Sequence, residues 1–161
     1  MCGHGWDDYS VGQVVNAIDR TIDLCINLFD TAPIYGVGKS EELLGRILNK
    51  RRDRLLISTK VGLTWDTHPV FLKRIATSAS DIENELNDSL LRLRTDHIDL
   101  YQLHWPDCEA SFEETFATMA KLRKQGKIRC IGCCNVNVAQ LRTALRYAPV
   151  RTVQVPYNLL D

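Results

Sequence analysis

The sequence has no excess of charge of either sign, no long basic run and no long apolar run. Its 161 residues include 20 Lys and Arg against 20 Asp and Glu, so the formal net charge is zero. The densest basic segment, Lys50–Arg52, is short, which argues against a nucleic-acid-binding surface. A membrane-spanning helix needs about 20 apolar residues in succession, and the sequence contains no such run.

A secretory signal, a linker and low-complexity tracts are also missing. Residues 1–8 lack the basic and apolar segments that begin a signal peptide. We therefore expect a cytoplasmic protein. Because no segment separates two periodic regions, residues 1–161 are predicted to form a single domain, which is long enough to bury a core.

The six cysteines raise the question of a metal or redox site. Cys130, Cys133 and Cys134 lie close together, but the first two are three residues apart in a predicted strand, where side chains alternate between the two faces. No second Cys or His pair has the spacing of a zinc site. The sequence therefore favours buried free thiols over a metal site. The other cysteines are Cys2, Cys25 and Cys108.

Helix starts are well marked along the chain. Four segments combine a Ser or Asn with a Gln or Glu three residues later, which is the pattern of a capping box, and helical periodicity follows each of them. A further short helix is predicted to begin at Ser40, with acidic residues in its first turn. The capping patterns begin at Ser10, Ser80, Ser111 and Asn137.

Five short apolar runs predict β-strands that alternate with these helices. The alternation is typical of a parallel α/β sheet or barrel, in which functional residues collect at the carboxyl ends of the strands. The predicted strands are Ile26–Phe29, Leu55–Thr59, Ile98–His104, Ile128–Cys133 and Thr152–Val155.

Residues with acid–base chemistry lie at or just beyond three of these strand ends. Asp30 and Tyr35 follow the first strand, Lys60 follows the second, and His104 ends the third. Taken singly, Asp30 is explained as a turn cap, Tyr35 as a packing aromatic and His104 as a structural histidine. Lys60 after an apolar run needs a partner or solvent. Because these strand ends meet at one edge, we expect the four side chains to converge in a proton-handling site.

The same residues lie in segments that resemble the aldo-keto reductase family. The segments DTAPIYGVGKSE (residues 30–41), STK (58–60), LHWPD (103–107) and GKIRCIG (126–132) occur in the family's order, and the resemblance covers almost the whole chain. Within the family, the sequence looks closest to the bacterial branch of sugar and inositol reductases and general stress proteins. The resemblance implies a (β/α)₈ TIM barrel that reduces aldehydes or ketones to alcohols with NADPH.

The resemblance also implies a role for each residue of the site. Tyr35 would be the general acid that protonates the carbonyl oxygen as hydride arrives. A phenol alone is a weak acid at neutral pH, and the cation of Lys60 would favour release of its proton. Asp30 would hold Lys60 and border the cofactor, and His104 would orient the carbonyl. Trp105 would form a wall of the substrate pocket.

The positions of Asn135 and Gln154 are those at which the family hydrogen-bonds the nicotinamide carboxamide. Where the family usually has a serine before the asparagine, this sequence has Cys134, and a thiol is the weaker donor. One contact to NADPH is therefore expected to be weaker. The resemblance implies no metal ligand.

The sequence is shorter than the fold that the resemblance implies. A (β/α)₈ barrel takes about 250 residues, and the order of the motifs assigns the five predicted strands to barrel strands two to six. We therefore expect an incomplete barrel, from a fragment or a truncated gene product, with open sheet edges through which the chain self-associates. The family's segments that stack on the nicotinamide and bind the adenosine 2′-phosphate are not matched, so weak NADPH binding is expected.

Two functions remain open at this point. The leading interpretation is an NADPH-dependent reductase of a small carbonyl substrate. The alternative is a catalytically silent or regulatory derivative of the same fold that acts as an interaction module. The intact Asp30, Tyr35, Lys60 and His104 favour the enzyme, whereas the unmatched strands favour the silent derivative. A metal-dependent TIM-barrel hydrolase is disfavoured because no His-x-His pair ends a strand.

Overall fold

The structure, a computed structural model, describes residues 10–65, 73–106 and 110–159. Cys2 and Cys108 lie outside these ranges. Helices and strands alternate along the described chain. The helices are α1 (Val11–Asp23), α2 (Lys39–Leu48), α3 (Ala79–Leu93), α4 (Phe112–Lys124) and α5 (Val138–Tyr147), with a 3₁₀ helix at Asn49–Arg54. The strands are β1 (Leu28–Asp30), β2 (Leu56–Val61), β3 (Leu63–Trp65), β4 (Lys73–Ile75), β5 (Ile98–Leu103), β6 (Ile128–Cys134) and β7 (Val150–Gln154).

Five parallel strands form the main sheet. Their order is β1-β2-β5-β6-β7, which is also their order along the chain. A helix lies between each consecutive pair, and because such crossovers are right-handed, the helices cover one face of the sheet. This arrangement is that of a (β/α)₈ barrel wall rather than of a doubly wound sheet, whose strand order reverses. The predicted fold class, an incomplete barrel, is therefore confirmed.

The boundaries of the strands differ from the prediction for identifiable reasons. β1 begins at Leu28 instead of Ile26, because the Ile26 amide donates to the carbonyl of Thr21 at 3.1 Å and closes the end of α1. β2 continues to Val61, so that Lys60 stands inside the ladder, opposite Gln102 of β5. The site lysine is thus part of the strand ladder beside β5 rather than placed in a loop.

The last three strands of the sheet are also shifted slightly. β5 stops at Leu103, so His104 is the first residue beyond it instead of its last. β6 extends through Cys134, which pairs with Gln154 of β7. β7 itself begins at Val150, two residues earlier than predicted, because Val150 already pairs with β6. The carboxyl ends of β6 and β7 therefore lie side by side.

A two-stranded antiparallel hairpin was not predicted from the sequence. β3 pairs with β4, with Leu63 opposite Ile75, directly after β2. The turn into the hairpin is made at Gly62, whose φ of 94° is in the left-handed region that favours glycine. The hairpin therefore begins three residues after Lys60, at the same end of the sheet.

Side-chain caps fix the start of four helices. The capping boxes at Ser10 and Asn137 are present as predicted, and Ser111 caps α4 by accepting from the amide of Glu114. The predicted cap at Ser80 is wrong. Ser78 caps α3 instead, since it has extended backbone and its Oγ accepts from the amide of Asp81 at 3.2 Å, whereas residue 80 already lies inside the helix.

The core lies between the sheet and the covering helices. The outward-facing side chains of the central strands, such as Ile57, Tyr101 and Ile131, are fully buried against helical residues such as Leu86 and Phe116. On the opposite face, Leu28 of β1 and Leu56 of β2 are exposed. The helix-covered face is thus the packed one. Among the described helices, none combines the length and apolarity needed to cross a bilayer.

Candidate active site

Lys60 and Asp30 form an ion pair at the carboxyl ends of β1 and β2. The Lys60 ammonium donates to Asp30 Oδ2 at 2.7 Å and to the carbonyl of Thr31 at 2.9 Å, and Ser58 Oγ donates to Asp30 Oδ1 at 2.8 Å. Lys60 is only 1% exposed, and these two acceptors replace the water that its buried side chain has lost. The placement of both residues at strand ends predicted that the Lys60 amine and the Asp30 carboxylate lie within ion-pair distance, and this prediction is confirmed.

Tyr35 lies over this ion pair on the turn that connects β1 to α2. The turn is closed by bonds from the Tyr35 amide to the carbonyl of Ala32 and from the Gly38 amide to the carbonyl of Pro33. Gly38 has a φ of 85°, a conformation open to glycine. The Lys60 ammonium lies 5.0 Å from the centroid of the Tyr35 ring, within the range of a cation–π contact.

His104 completes the cluster from the end of β5. Its amide donates to the carbonyl of Val61 at 2.9 Å, which fixes the residue beside the end of β2. The rings of His104 and Tyr35 meet edge to face, with centroids 6.0 Å apart. On its other side the His104 ring stacks with the half-exposed Trp105 at 6.4 Å. The structure therefore brings together Asp30, Tyr35, Lys60, His104 and Trp105 at one end of the sheet.

The residues predicted for the cofactor lie next along the same edge. Asn135 Nδ2 donates to the carbonyl of His104 at 3.0 Å, and its amide donates to the carbonyl of Gln154 at 2.9 Å. Cys134 Sγ lies 3.4 Å from Gln154 Oε1 and donates to it. Burial raises the pKa of the Cys134 thiol to about 12, so it remains a neutral donor.

A row of polar side chains below this edge was given no role from the sequence. Ser58, which supports Asp30, accepts from Gln102 Nε2 at 3.0 Å, and Thr152 donates to Gln102 Oε1 at 3.3 Å. The row crosses four strands on the barrel-interior face. The sequence signal for this row was the alternation of side chains in β2, which places Ser58 on the same face of the sheet as Lys60.

Gly132 explains how this row crosses β6. A Cβ atom at position 132 would collide with Thr152 Oγ1 and would lie 2.9 Å from the side chain of Gln102. The absence of a side chain therefore leaves the space through which these two residues hydrogen-bond. This is a close approach that only glycine permits.

Other concave regions lie away from this edge. A cavity of about 720 Å³ is lined by residues that include Arg52, Leu91 and Asp96, near the amino-terminal end of β5. In (β/α) barrels, the chemistry collects at the opposite end. Within the described ranges, no group of three or more His, Cys, Asp or Glu is arranged to hold a metal ion.

Comparison with known proteins gives one consistent family. The sequence matches the Aldo/keto reductase family over residues 1–161. It is 41% identical to aldo-keto reductase YhdN of Bacillus subtilis, over 99% of this chain and 48% of the relative. It is 35% identical to an NADH-specific methylglyoxal reductase of Escherichia coli, over 84% of this chain and 45% of the relative.

Solved structures agree with these sequence relationships. The glycerol dehydrogenase AKR11B4 from Gluconobacter oxydans superposes with a TM-score of 0.89 at 37% identity, over 97% of this chain and 48% of that one. An aldo/keto reductase from Klebsiella pneumoniae, solved with NADP and acetate, gives 0.77 at 30% identity, over 94% and 50%. This chain, which spans about half the length of the relatives it matches, belongs to the aldo/keto reductase family.

Proposed function

We propose that the protein is an NADPH-dependent oxidoreductase that reduces small aldehydes or ketones to alcohols, with Tyr35 as the general acid. The observation that carries the proposal is the buried Lys60, paired with Asp30 at 2.7 Å and facing the Tyr35 ring at 5.0 Å. A fixed cation beside a phenol favours the phenolate that remains after proton transfer. The same contacts fix the position of the Lys60 ammonium relative to the Tyr35 ring.

The proton and hydride balance follows from this arrangement. NADPH, when bound, supplies a hydride to the carbonyl carbon. Tyr35 Oη gives its proton to the carbonyl oxygen, so that an alcohol forms, and the phenol is later reprotonated from solvent. Lys60 offsets the negative charge on the phenol oxygen, and Asp30 together with the Thr31 carbonyl keeps Lys60 in place. His104 and Trp105 border the space beside Tyr35, where the carbonyl would bind.

The side chains at the β6–β7 end fit a nicotinamide carboxamide. Asn135 uses Nδ2 on the His104 carbonyl, which leaves Oδ1 as an acceptor. Gln154 uses Oε1 on the Cys134 thiol, which leaves Nε2 as a donor. A carboxamide offers the complementary pair, an N–H donor and a carbonyl acceptor. Relatives differ in cofactor, since one is named NADH-specific and a related structure from Klebsiella pneumoniae contains NADPH.

The alternative is a catalytically silent derivative that serves as an interaction module. The observation in its favour is that β7, which carries Gln154, is exposed on most of its residues within the described chain. A silent derivative would not require the precise pairing of Lys60 with Asp30. The ion pair therefore makes the reductase the better-supported function.

Replacement of the phenol tests the proposal. We expect Tyr35→Phe to lower kcat for a panel of short aldehydes, methylglyoxal included, by about 10²–10⁴-fold, because the proton donor is lost. NADPH affinity should change by less than about twofold, since the hydroxyl contacts the carbonyl rather than the cofactor. The loss of NADPH fluorescence during turnover measures kcat, and a fluorescence titration of the protein with NADPH measures the affinity. The assay uses this chain and a completed barrel, in which the unmatched strands come from the Bacillus subtilis relative.

Two results would contradict the proposal. A Tyr35→Phe variant that retains more than about one tenth of the wild-type kcat would show that another group is the acid. A completed barrel that binds NADPH but reduces no aldehyde or ketone would favour the silent derivative. Tyr147→Phe is the matched control, because this phenol lies on α5 and donates to Glu113.

A further inference from the structure

A buried carboxylate lies on the reverse side of the strand that carries Lys60. Glu41, in the first turn of α2, is 0% exposed. Its Oε1 accepts from Thr59 Oγ1 at 2.6 Å, and its Oε2 accepts from Arg92 Nε at 2.6 Å. The mechanism described above makes no use of this network.

The first contact fixes β2 at the position next to the site lysine. Thr59 and Lys60 are neighbours in β2, so their side chains point to opposite faces of the sheet. A short bond from Thr59 to Glu41 therefore restrains the strand from the helix side. Lys60 is restrained from the other side by Asp30 and the carbonyl of Thr31.

The second contact connects Glu41 to the turn that carries Tyr35. The Arg92 side chain lies directly beneath that turn, since a Cβ atom at Gly38 would be 3.0 Å from Arg92 Cδ. Glu41 itself follows Ser40, whose amide donates to the carbonyl of Tyr35. The Glu41 carboxylate thus contacts both β2, the strand that carries Lys60, and Arg92, which lies beneath the turn that carries Tyr35.

Two further contacts restrain α2, which carries Glu41, against the loop after β1 and against α3. Thr31 and Ser40 share a hydrogen bond of 2.8 Å between their hydroxyl groups, which joins the loop after β1 to the start of α2. Gly45 brings α2 against α3 so closely that a Cβ atom there would collide with the carbonyl of Arg92. Arg92 therefore has little freedom to move away from Glu41.

We propose that Glu41 and Arg92 are a positioning pair that sets the placement of Lys60 relative to Tyr35. The proposal rests on the reductase function for its catalytic consequence, but its structural content does not depend on activity. Glu41→Gln would keep one acceptor oxygen but would replace the other with an NH₂ group, which cannot accept from the second donor. The guanidinium of Arg92 would then lose its counter-charge. We expect the strand and the turn to move relative to each other.

Acylation of lysines in the 161-residue chain tests the structural part. In the wild type, Lys60 should react with acetic anhydride at least about 50-fold more slowly than the exposed Lys124, as read by peptide mass spectrometry. Glu41→Gln should raise the Lys60 rate about tenfold or more, and Thr59→Val should raise it in the same direction. Glu42→Gln is the matched control, because Glu42 is adjacent and exposed.

A second reagent separates positioning from general loss of stability. Cys133 is buried on β6, two strands away from Lys60, and reports global opening through its alkylation rate. The positioning pair predicts faster acylation of Lys60 with an unchanged rate at Cys133. Equal acceleration at both residues would overturn the proposal, and so would an unprotected Lys60 in the wild type. If Glu41→Gln does not fold, Arg92→Lys, which keeps the charge, is compared with Arg92→Met.

Kinetics of the completed barrel test the catalytic consequence. Glu41→Gln should lower kcat about tenfold or more with KM for the aldehyde and for NADPH within about twofold, because only the proton-donating geometry changes. An unchanged kcat alongside faster Lys60 acylation would overturn the catalytic consequence. If the wild type reduces no carbonyl compound, the proposed function fails, while the ratio of Lys60 to Cys133 labelling still decides the positioning pair.

Discussion

The two halves of the candidate site are built differently. In the β1–β2–β5 half, Lys60 is buried, and among the described residues its ammonium is held by Asp30 of β1 and by the Thr31 carbonyl in the loop that follows. In the β6–β7 half, Asn135 follows β6 and Gln154 ends β7, a strand whose residues are mostly exposed. The geometry proposed for proton transfer is therefore preorganised by the described residues, whereas the contacts proposed for the cofactor are few and neutral.

This difference teaches which part of a barrel site tolerates change. A buried charge that loses its partner has no solvent to replace it, so the Lys60 half should respond sharply to substitution. Neutral hydrogen bonds at an exposed strand are each worth about 0.5–1.5 kcal/mol, and water can replace them. Substitutions in the two halves should therefore differ by orders of magnitude.

The largest expected effect breaks the first half directly. We expect Lys60→Met to lower kcat about 10²–10⁴-fold in the completed barrel, because the cation beside Tyr35 is lost while the side-chain volume is kept. Gln154→Leu should raise KM for NADPH by less than about tenfold and leave kcat nearly constant, since one neutral bond is removed. Steady-state NADPH oxidation measures both. Comparable losses of kcat in the two variants would refute the contrast.

The second prediction concerns the carboxyl group that supports the end of β2. Glu85 Oε2 accepts from the amide of Gly62 at 3.3 Å, while Oε1 is buried with no hydrogen-bond partner in the described chain. Burial, with a smaller contribution from Asp81, raises the pKa of Glu85 to about 8; the Gly62 amide and the Arg92 charge act in the opposite direction. Burial is the largest of these causes.

The direction of the resulting pH dependence follows from proton counting. Between its ordinary pKa of 4.5 and about 8, Glu85 is protonated in the folded protein and ionised in the unfolded chain. The folded state binds more protons there, so stability is lost as pH rises through this window, by about 1.4 kcal/mol per pH unit. Glu85→Gln should remove this slope, and its advantage over wild type should grow from about pH 5 to about pH 8.

Urea unfolding across this pH range measures the difference. The control is Glu83→Gln on the same helix, since Glu83 is paired with Lys121 and the pKa of its carboxyl is lowered, which places its titration below the window. Parallel stability curves for Glu85→Gln and wild type would show that Glu85 is ionised in the folded protein.

The third prediction sharpens the contrast at the boundary between the two halves. Gly132→Ala would drive a methyl group into Thr152 Oγ1 and the Gln102 side chain, and should destabilise the protein by about 1–3 kcal/mol. Gly12→Ala is the control, because among the described residues its Cβ atom would meet only Ser10 Oγ, at 3.8 Å, in a helix, where alanine should stabilise by about 0.5–1 kcal/mol. Denaturation midpoints that shift in the same direction for both variants would contradict the steric argument.

The sequence predicted the strands of the main sheet, the helices between them and the residues at its carboxyl edge, but not the polar contacts behind that edge. Strand-end placement was enough to bring Asp30 to Lys60, because parallel strands share one carboxyl edge. It did not reveal Glu41, which pairs with Thr59 and Arg92 on other elements. Such contacts depend on how α2 and α3 pack against each other, and the spacing of residues within one helix does not predict that packing.

Smaller errors have the same origin. Both Ser78 and Ser80 have an acidic residue three positions later, so the pattern alone does not choose between them; the backbone entering α3 does. The hairpin of β3 and β4 was missed because its strands are only three residues long. In each case a tertiary contact or a turn decided between local patterns of similar strength.

The smallest expected effect lies in the exposed half, at Cys134. The thiol donates weakly to Gln154 Oε1 at 3.4 Å, and Cys134→Ser would place a stronger donor there. A better-oriented Gln154 should lower KM for NADPH by about two- to fivefold and leave kcat within about twofold, because one neutral hydrogen bond improves. Cys130→Ser, on the same strand but farther from its carboxyl end, is the control. A tenfold fall in kcat for Cys134→Ser, with Cys130→Ser unaffected, would mean that the thiol takes part in the chemistry and that the two halves are not separable.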